Sequence, residues 1–140
     1  MGRTYGNDES ASDFLALSDR TTFHPTTIIP ITIFNPLRAD WDSSWREDPS
    51  LPPFKEQVEW ELEMQERADV VVFYFGPHTD APITLLELGL CAPRKSAIVA
   101  CHPDYKKRGN VLILCKKYGH VVVDDDGKLC DAVYRNFDER

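Results

Sequence analysis

Apolar residues of the chain are grouped into short runs separated by amphipathic or polar stretches. Residues 69–75 have the sequence Asp-Val-Val-Val-Phe-Tyr-Phe, a β-branched and aromatic run that predicts a central strand covered on both faces. Further strands are predicted at residues 14–17, 26–34, 96–101 and 120–123. Pro30 has no N–H for a ladder, so we expect the strand that contains it to be bent or at an edge of the sheet.

Helical periodicity appears between these strands. In residues 54–67, Phe54, Val58 and Leu62 recur at i, i+4 and i+8, which predicts an amphipathic helix. The positions expected to face water are Glu56, Glu59, Glu63 and Glu66. Further helices are predicted at residues 82–92, 110–118 and 129–137. We expect Asp80 or Thr79 to cap the first of these, and we expect residues 35–53 to form a long loop.

The order of these elements predicts an α/β fold. Alternating strands and helices imply a mostly parallel sheet flanked by helices, here with about five strands in a three-layer, Rossmann-like sandwich. We expect residues 1–12 to be a flexible leader and residues 13–140 to be a single domain. Ligands of such folds gather at the carboxyl ends of the strands. Candidate ligand contacts at these ends are Asn35, Arg38, Trp41, Gly76 and Asp80.

Charge and composition limit the classes of partner. Sixteen basic residues against 23 acidic ones give a net charge of −7, which argues against a binder of nucleic-acid polymers but leaves a small anion such as a nucleotide open. No apolar run approaches the ~20 residues of a membrane span. The polar, acidic start lacks the features of a signal peptide, so we expect no membrane association and a cytoplasmic protein.

The four cysteines show no C-x-x-C pair and no metal-ligand spacing, so we expect neither a metal site nor a disulfide framework. Cys91, Cys101 and Cys115 lie among apolar neighbours, where a free thiol behaves as a small hydrophobic side chain. Reduced core thiols favour an intracellular compartment.

Glu87 is the most informative residue of the sequence. It lies in the segment Pro-Ile-Thr-Leu-Leu-Glu-Leu-Gly-Leu-Cys-Ala, whose apolar character nearly all round predicts that Glu87 is largely buried. Burial of a carboxylate costs free energy unless the charge is paired. The residues leave two interpretations equally open: a structural acid paired with Arg38 or with a neighbouring loop, and a functional carboxylate.

Glu61 is a second candidate carboxylate. It lies three residues after Val58 and seven after Phe54, so it borders the apolar stripe of its helix. Two carboxylates converging from separate helices would suit glycosidic cleavage, in which one attacks the anomeric carbon and the other protonates the leaving group. The alternative is one more acid on a very acidic helix.

Four blocks of sequence, in order, carry a family resemblance. They are residues 34–42 (Phe-Asn-Pro-Leu-Arg-Ala-Asp-Trp-Asp), residues 54–61 with Gln57, Trp60 and Glu61, residues 68–75, and residues 82–89 with the Glu-Leu-Gly motif. With these blocks the chain resembles the nucleoside 2-deoxyribosyltransferase-like family over about residues 31–118.

The resemblance implies a flavodoxin-like α/β fold, a homodimer or higher homo-oligomer, and a nucleoside or nucleotide as small-molecule partner, with no cofactor. It implies cleavage of the N-glycosidic bond of a 2-deoxynucleoside or nucleotide, with the sugar passing through a glycosyl-enzyme ester to another base or to water. By resemblance Glu87 falls on the nucleophile and Glu61 on the acid, which is usually Asp. Asp80 falls near a second acid that contacts the base.

Several candidates keep two interpretations. Arg38 suits a phosphate contact or a pair with Glu87, and equally an exposed position. Trp41 and Trp45 suit stacking on a base, and equally packing within the loop. The basic turn at residues 105–108 suits a 5′-phosphate or a solvated surface.

The N-terminal part departs from the family pattern, because Leu17 stands where the family has a glycine in its first loop. This departure leaves a second hypothesis, a catalytically inactive nucleotide-binding or regulatory module of the same fold. A third is a structural partner domain, in which Glu87 only satisfies buried polar groups.

Overall fold

The computed structural model describes residues 30–139, which belong to two compact units, one with residues 31–68 and the other with Pro30 and residues 69–139. The expected leader, the predicted strand at residues 14–17 and the first part of the strand predicted at residues 26–34 lie outside the described residues. Within residues 30–139, no helix has the length and apolar character needed to cross a membrane.

The first unit consists of a loop followed by helix α1 (Pro52–Arg67). The predicted loop and helix are confirmed, and the helix begins two residues earlier than expected because proline is well accommodated in the first turn. Residues 30–34, the described part of the strand predicted at residues 26–34, are not in a strand. Pro30 cannot donate to a ladder, and the ring of Phe34 instead lies 5.3 Å from the guanidinium of Arg67 in the last turn of α1.

The buried stripe of α1 differs from the predicted one. Gln57 and Met64 are buried, whereas Val58 and Leu62 are 36% and 38% exposed. The reason is that Gln57 hydrogen-bonds the preceding loop, so the face that carries Gln57 is the one that meets the loop. The four glutamates expected to face water are exposed, as predicted.

The second unit is a parallel sheet with helices. Its strands are β1 (Val70–Phe75), β2 (Ser96–Cys101) and β3 (Val121–Val123), in the order β1-β2-β3 with both pairs parallel. Its helices are α2 (Pro82–Cys91), α3 (Arg108–Tyr118) and α4 (Leu129–Asp138). Each of these elements was predicted, and the α/β character is confirmed. The described residues contain three of the expected strands.

One face of the sheet carries the core of this unit. Phe75 and Val99 of the sheet pack with Leu88 of α2 and with Val111 and Cys115 of α3, all 1% exposed or less. Leu88 and Cys91 therefore mark the buried side of α2, and both α2 and α3 cover the same face of the sheet. Gly119, in a left-handed conformation with φ 73°, ends α3 as its position after the last helical residue predicts.

The opposite face of the sheet is covered unevenly. Ile98 and Ala100 of β2 are fully buried there, and α4 contacts β2 and β3. In β1, however, Val72 and Tyr74 are 45% and 48% exposed. The prediction that this strand is covered on both faces is therefore wrong within the second unit, because α4 lies against the other two strands.

All four cysteines are free thiols, and Cys91, Cys101 and Cys115 are buried, as predicted for small core side chains. Burial raises the pKa of each of these three thiols above its ordinary value. Because the thiolate is the reactive form, burial and a raised pKa both lower the reactivity of these cysteines in the folded protein.

His120 connects three neighbouring segments of the second unit. The backbone N–H of Ala97, at the start of β2, donates to Nδ1 of His120 over 3.3 Å. Since Nδ1 accepts, Nε2 carries the hydrogen and donates to the carbonyl of Ala92 over 2.9 Å, at the end of α2. One imidazole therefore ties the residue before β3 to the end of α2 and the start of β2.

Candidate active site

Glu61 is held from within its own unit by Gln57, one helical turn earlier on α1. The Nε2 atom of Gln57 donates to Oε1 of Glu61 over 2.6 Å and to the carbonyl oxygen of Pro36 over 2.9 Å. Gln57 is 6% exposed and Glu61 is half-buried. The carboxylate of Glu61 is thus fixed to the loop that carries the other candidate residues of this unit.

Arg38 lies in that loop and pairs with a neighbouring acid. Its Nε and Nη2 atoms donate to the two carboxylate oxygens of Asp40 over 2.9 and 2.8 Å, a bidentate arrangement. Its Nη1 donates to the carbonyl of Pro53 at the start of α1. Although its backbone lies in a loop, the Arg38 side chain is only 18% exposed. The interpretation of Arg38 as an exposed surface side chain is therefore wrong.

Trp41 and Trp45 form an aromatic cluster beside Arg38. The two indole rings meet edge to face with centroids 5.4 Å apart, and the guanidinium of Arg38 lies 5.4 Å from the ring of Trp45. Trp45 is half-buried in this contact, whereas Trp41 is 51% exposed. Packing within the loop explains the position of Trp45, whereas about half of the Trp41 surface is exposed and is not used in that packing.

Asn35 shapes the start of the same loop. Its side-chain Oδ1 accepts from the backbone N–H of Leu37 over 3.0 Å, a turn that short polar side chains form readily. The turn brackets Pro36, whose carbonyl receives the Gln57 amide. Asn35 therefore helps to position the Pro36 carbonyl, which binds the Gln57 amide that in turn binds Glu61.

Gly76 and Asp80 lie on the loop between β1 and α2, at the carboxyl end of β1. Gly76 is buried, and a Cβ atom at this position would lie 3.3 Å from the hydroxyl oxygen of Tyr74. A side chain at residue 76 would require the Tyr74 ring to shift by a few tenths of an ångström, so glycine allows the close contact between Tyr74 and the turn at the strand end.

Asp80 is held by the next loop along the sheet. Its carboxylate forms an ion pair with Lys106, and its backbone carbonyl accepts from the hydroxyl of Tyr105 over 2.9 Å. The hydrogen bond and charge of Lys106 lower the pKa of Asp80 below its ordinary value. Arg108 in turn pairs with Asp124 over 2.8 Å. Three side chains of the predicted basic turn thus have protein partners.

The predicted cap of α2 is wrong. Neither Asp80 nor Thr79 caps the helix; Ala81 occupies the capping position in a left-handed conformation with φ 44°, and Pro82 follows at the first helical position. Thr79 instead accepts from the backbone N–H of Ala81 over 3.1 Å. Because the Asp80 side chain is drawn to Lys106, it is not available for the helix end.

Glu87 lies in the middle of α2 and is half-buried, not largely buried as predicted. The helix buries the side that carries Leu88 and Cys91, and it exposes Ile83, Leu86 and Leu90 by 55%, 69% and 42%. An apolar sequence all round the helix therefore does not place every side chain in the core of this unit. A half-buried carboxylate is partly desolvated yet accessible, which suits a nucleophile.

The candidate residues fall on both units. Within the first, the Gln57 amide and the Pro36 carbonyl connect the Asn35–Arg38 part of the loop with Glu61. Within the second, the β1–α2 loop and α2 carry Gly76, Asp80 and Glu87 in sequence. Convergence of Glu61 with Glu87 stays a prediction. Among residues 30–139, no group of His, Cys, Asp and Glu is arranged to hold a metal ion.

The sequence interpretation assigned no role to Gln57, and it did not connect Tyr105 or Lys106 with Asp80. Gln57 had a detectable signal, since it is a polar residue one turn before Glu61 and next to the apolar position Val58. The contacts of Asp80 had no detectable signal in the sequence, because residues 80 and 105 are brought together only by the parallel pairing of β1 with β2.

Comparison with known proteins gives one result that bears on identity. The family model described as nucleoside 2-deoxyribosyltransferase like matches residues 10–105, more than half of the chain. No curated protein matches the sequence. The matched span includes the β1–α2 region with Glu87 and the α1 helix with Glu61. The chain belongs to the nucleoside 2-deoxyribosyltransferase-like family.

Proposed function

We propose that this protein cleaves the N-glycosidic bond of a 2-deoxynucleoside or nucleotide and transfers the deoxyribosyl group to another base or to water. The observation that carries the proposal is the family match over residues 10–105, which contains both candidate carboxylates. The surroundings of the two carboxylates also support it. Glu61 and Glu87 are both half-buried, but Glu61 lies on a charged helix, which suits an acid, and Glu87 on an apolar helix, which suits a nucleophile.

In the proposed reaction, a carboxylate oxygen of Glu87 attacks the anomeric carbon of the sugar. The bond from that carbon to the base nitrogen breaks, its electron pair stays on the nitrogen, and the nitrogen receives the proton of Glu61. The products are the free base and a glycosyl ester on Glu87. Water or the nitrogen of a second base then attacks the same carbon, Glu87 leaves as a carboxylate, and Glu61 takes up the released proton.

The remaining candidates would bind the substrate. Trp41 offers an exposed aromatic face for stacking on a base. Asn35 and Arg38 lie on the same loop, and Arg38 would meet an anionic group as an alternative to Asp40. Gly76 and Asp80 would contact the substrate from the loop between β1 and α2, with the pKa of Asp80 held low by Lys106.

We further propose that residues 13–140 form one family domain, because the family match spans both compact units. The finer features proposed with this function are a flavodoxin-like sandwich of about five strands, a homo-oligomer, and action in the cytoplasm on small molecules without a cofactor.

The test is release of free base from a panel of deoxynucleosides and their 5′-monophosphates. Wild-type protein should release base, and Glu87→Ala should abolish release while melting at the wild-type temperature. Intact-mass analysis of protein quenched during turnover should show one deoxyribosyl group per chain, located on Glu87. Absence of release from every member of the panel would overturn the proposal.

A second candidate function is a catalytically inactive nucleotide-binding or regulatory module. Leu17, in place of the glycine of the family's first loop, favours it. Nucleotides would then raise the melting temperature without turnover. In that case a Leu17→Gly variant would be compared with wild type, since recovery of base release would locate the loss of activity at this loop.

A further inference from the structure

Gln57 is a buried polar side chain with both of its amide hydrogens engaged. Its 6% exposed side chain donates one hydrogen bond to the carbonyl of Pro36 and a second to Oε1 of Glu61. A buried amide left without partners destabilises the fold, so these two contacts fix the position of the Gln57 side chain.

The carbonyl of Pro36 determines how the amide is oriented. A backbone carbonyl oxygen can only accept a hydrogen bond, so the amide nitrogen, and not the amide oxygen, must face Pro36. The same nitrogen lies 2.6 Å from Oε1 of Glu61. Glu61 therefore meets a donor that cannot be turned into an acceptor without loss of the Pro36 contact.

This orientation distinguishes the two oxygens of Glu61. In a protonated carboxyl group the carbonyl oxygen is a better hydrogen-bond acceptor than the hydroxyl oxygen, so a donor at Oε1 favours a proton on Oε2. We propose that Gln57 is a positioning residue that keeps the transferable proton of Glu61 on Oε2. This inference rests on the proposed function, in which Glu61 gives that proton to the leaving base and later recovers it.

A double-mutant cycle separates positioning from mere structural support. The cycle compares wild type, Gln57→Met, Glu61→Gln and the double variant by kcat and KM for base release. Gln57→Met removes both donors at similar side-chain volume, and Glu61→Gln keeps an acceptor for Gln57 but has no carboxylic proton to give. We expect kcat to fall about tenfold in Gln57→Met, with KM within about twofold of wild type.

If Gln57 acts by positioning the proton of Glu61, the fall in kcat caused by Gln57→Met should disappear once Glu61 has been replaced by glutamine. In the Glu61→Gln background, Gln57→Met should change kcat by less than about twofold, because no proton remains to be positioned. An equal fall in both backgrounds would overturn the inference, since a general loosening of the fold acts regardless of Glu61. Gln65→Met on the same helix is the matched control and should leave kcat unchanged.

A second measurement does not depend on activity or on the folding of Gln57→Met. Side-chain amide hydrogens of ¹⁵N-labelled wild-type protein should exchange with solvent at least tenfold more slowly at Gln57 than at Gln65, which is half-buried. The Gln57 signals should also move in Glu61→Gln. Equal exchange at the two residues would overturn the inference even if the enzyme is active.

The outcomes distinguish this inference from the proposed function. Wild-type protein that releases no base overturns the proposed function, and the positioning role with it. Wild-type protein that releases base while Gln57→Met matches it overturns the positioning role alone.

Discussion

The two helices that carry the candidate carboxylates differ in nearly every respect. Helix α1 is rich in charge, exposes four of its five glutamates and buries a polar side chain, Gln57, that holds the fifth, Glu61. Helix α2 has Glu87 as its one charged residue, buries Leu88 and exposes a second apolar side. Both carboxylates nevertheless end up half-buried.

The difference shows that equal burial can arise from opposite surroundings. A carboxylate next to an amide donor on a wet helix is held in one orientation, which suits repeated proton transfer. A carboxylate on an apolar helix is partly stripped of water, which raises its reactivity toward an electrophilic carbon. The environments of Glu61 and Glu87 thus correspond to the two roles proposed for them.

The largest expected effect separates acid from nucleophile. Glu61→Gln should lower kcat for ordinary deoxynucleosides about 100-fold, because the departing base nitrogen is no longer protonated. With a deoxynucleoside whose base is quaternised and already cationic, the same variant should lose less than about threefold, since such a base departs without a proton. Steady-state release of base from both substrates measures the difference.

Glu87→Ala is the comparison for that experiment. It should abolish release from both substrates, because the attack on the anomeric carbon is needed whichever base leaves. If Glu61→Gln is equally impaired with both substrates, the two carboxylates do not have the separate roles that their helices suggest.

The next effect tests the two sides of α2. Leu88→Ala should lower the free energy of unfolding by about 3 kcal/mol, because Leu88 is fully buried and its removal leaves a cavity. Leu86→Ala, 69% exposed on the same helix, should change it by less than about 0.5 kcal/mol. Urea unfolding followed by circular dichroism measures both, and an equal cost would show that the second apolar side is covered in solution.

A smaller effect concerns the glycine in α2. A Cβ atom at Gly89 meets no atom within 4 Å, so Gly89→Ala should stabilise the protein by about 0.5–1 kcal/mol through helix propensity. Gly119→Ala should instead destabilise it by about 1 kcal/mol, since φ is 73° there. Thermal melts compare the two. A fall in activity with Gly89→Ala, despite higher stability, would indicate close approach of a ligand at α2.

The smallest effect is a titration at Asp80. Lys106→Met should raise the pKa of Asp80 toward its ordinary value of 3.8, because the hydrogen bond and charge of Lys106 are its main lowering causes. A depressed folded-state pKa stabilises the fold above the unfolded value, and this contribution disappears as pH falls through the folded one. Carboxyl NMR titration measures the shift.

Lys107→Met serves as the control for Asp80, because the charge of Lys107 is the last of its causes. Its substitution should move the pKa less than that of Lys106. An unchanged Asp80 in Lys106→Met would contradict the ion pair between the two loops.

Much of the second unit could be predicted from the sequence. Strand β2 and helix α2 follow the predicted ranges closely because apolar runs bounded by turn residues leave few alternatives. Residues 30–34, the described part of the strand predicted at residues 26–34, lie outside a strand because local β-branched composition does not reveal whether a neighbouring strand is available, and Phe34 packs on Arg67 instead.

The sequence was enough to predict which residues belong to the candidate site, but not which contacts they make. Glu61 and Glu87 stand out by their apolar neighbours along the chain. The burial of Gln57, the withdrawal of Asp80 to Lys106 and the left-handed Ala81 depend on how loops meet. Such meetings are set by tertiary packing, which a pattern of one helix or one strand does not encode.

The imidazole of His120 makes one backbone amide a reporter on the end of α2, the helix that carries Glu87. Because the Ala97 N–H is bonded to His120, it can exchange with deuterium only when that link opens. The other nitrogen of the same ring bonds the Ala92 carbonyl at the end of α2, so movement of the whole ring away from Ala97 would also break that contact. The deuteration rate of this single amide therefore reports, without any substrate, how often the contact of His120 with the segment between α2 and β2 opens.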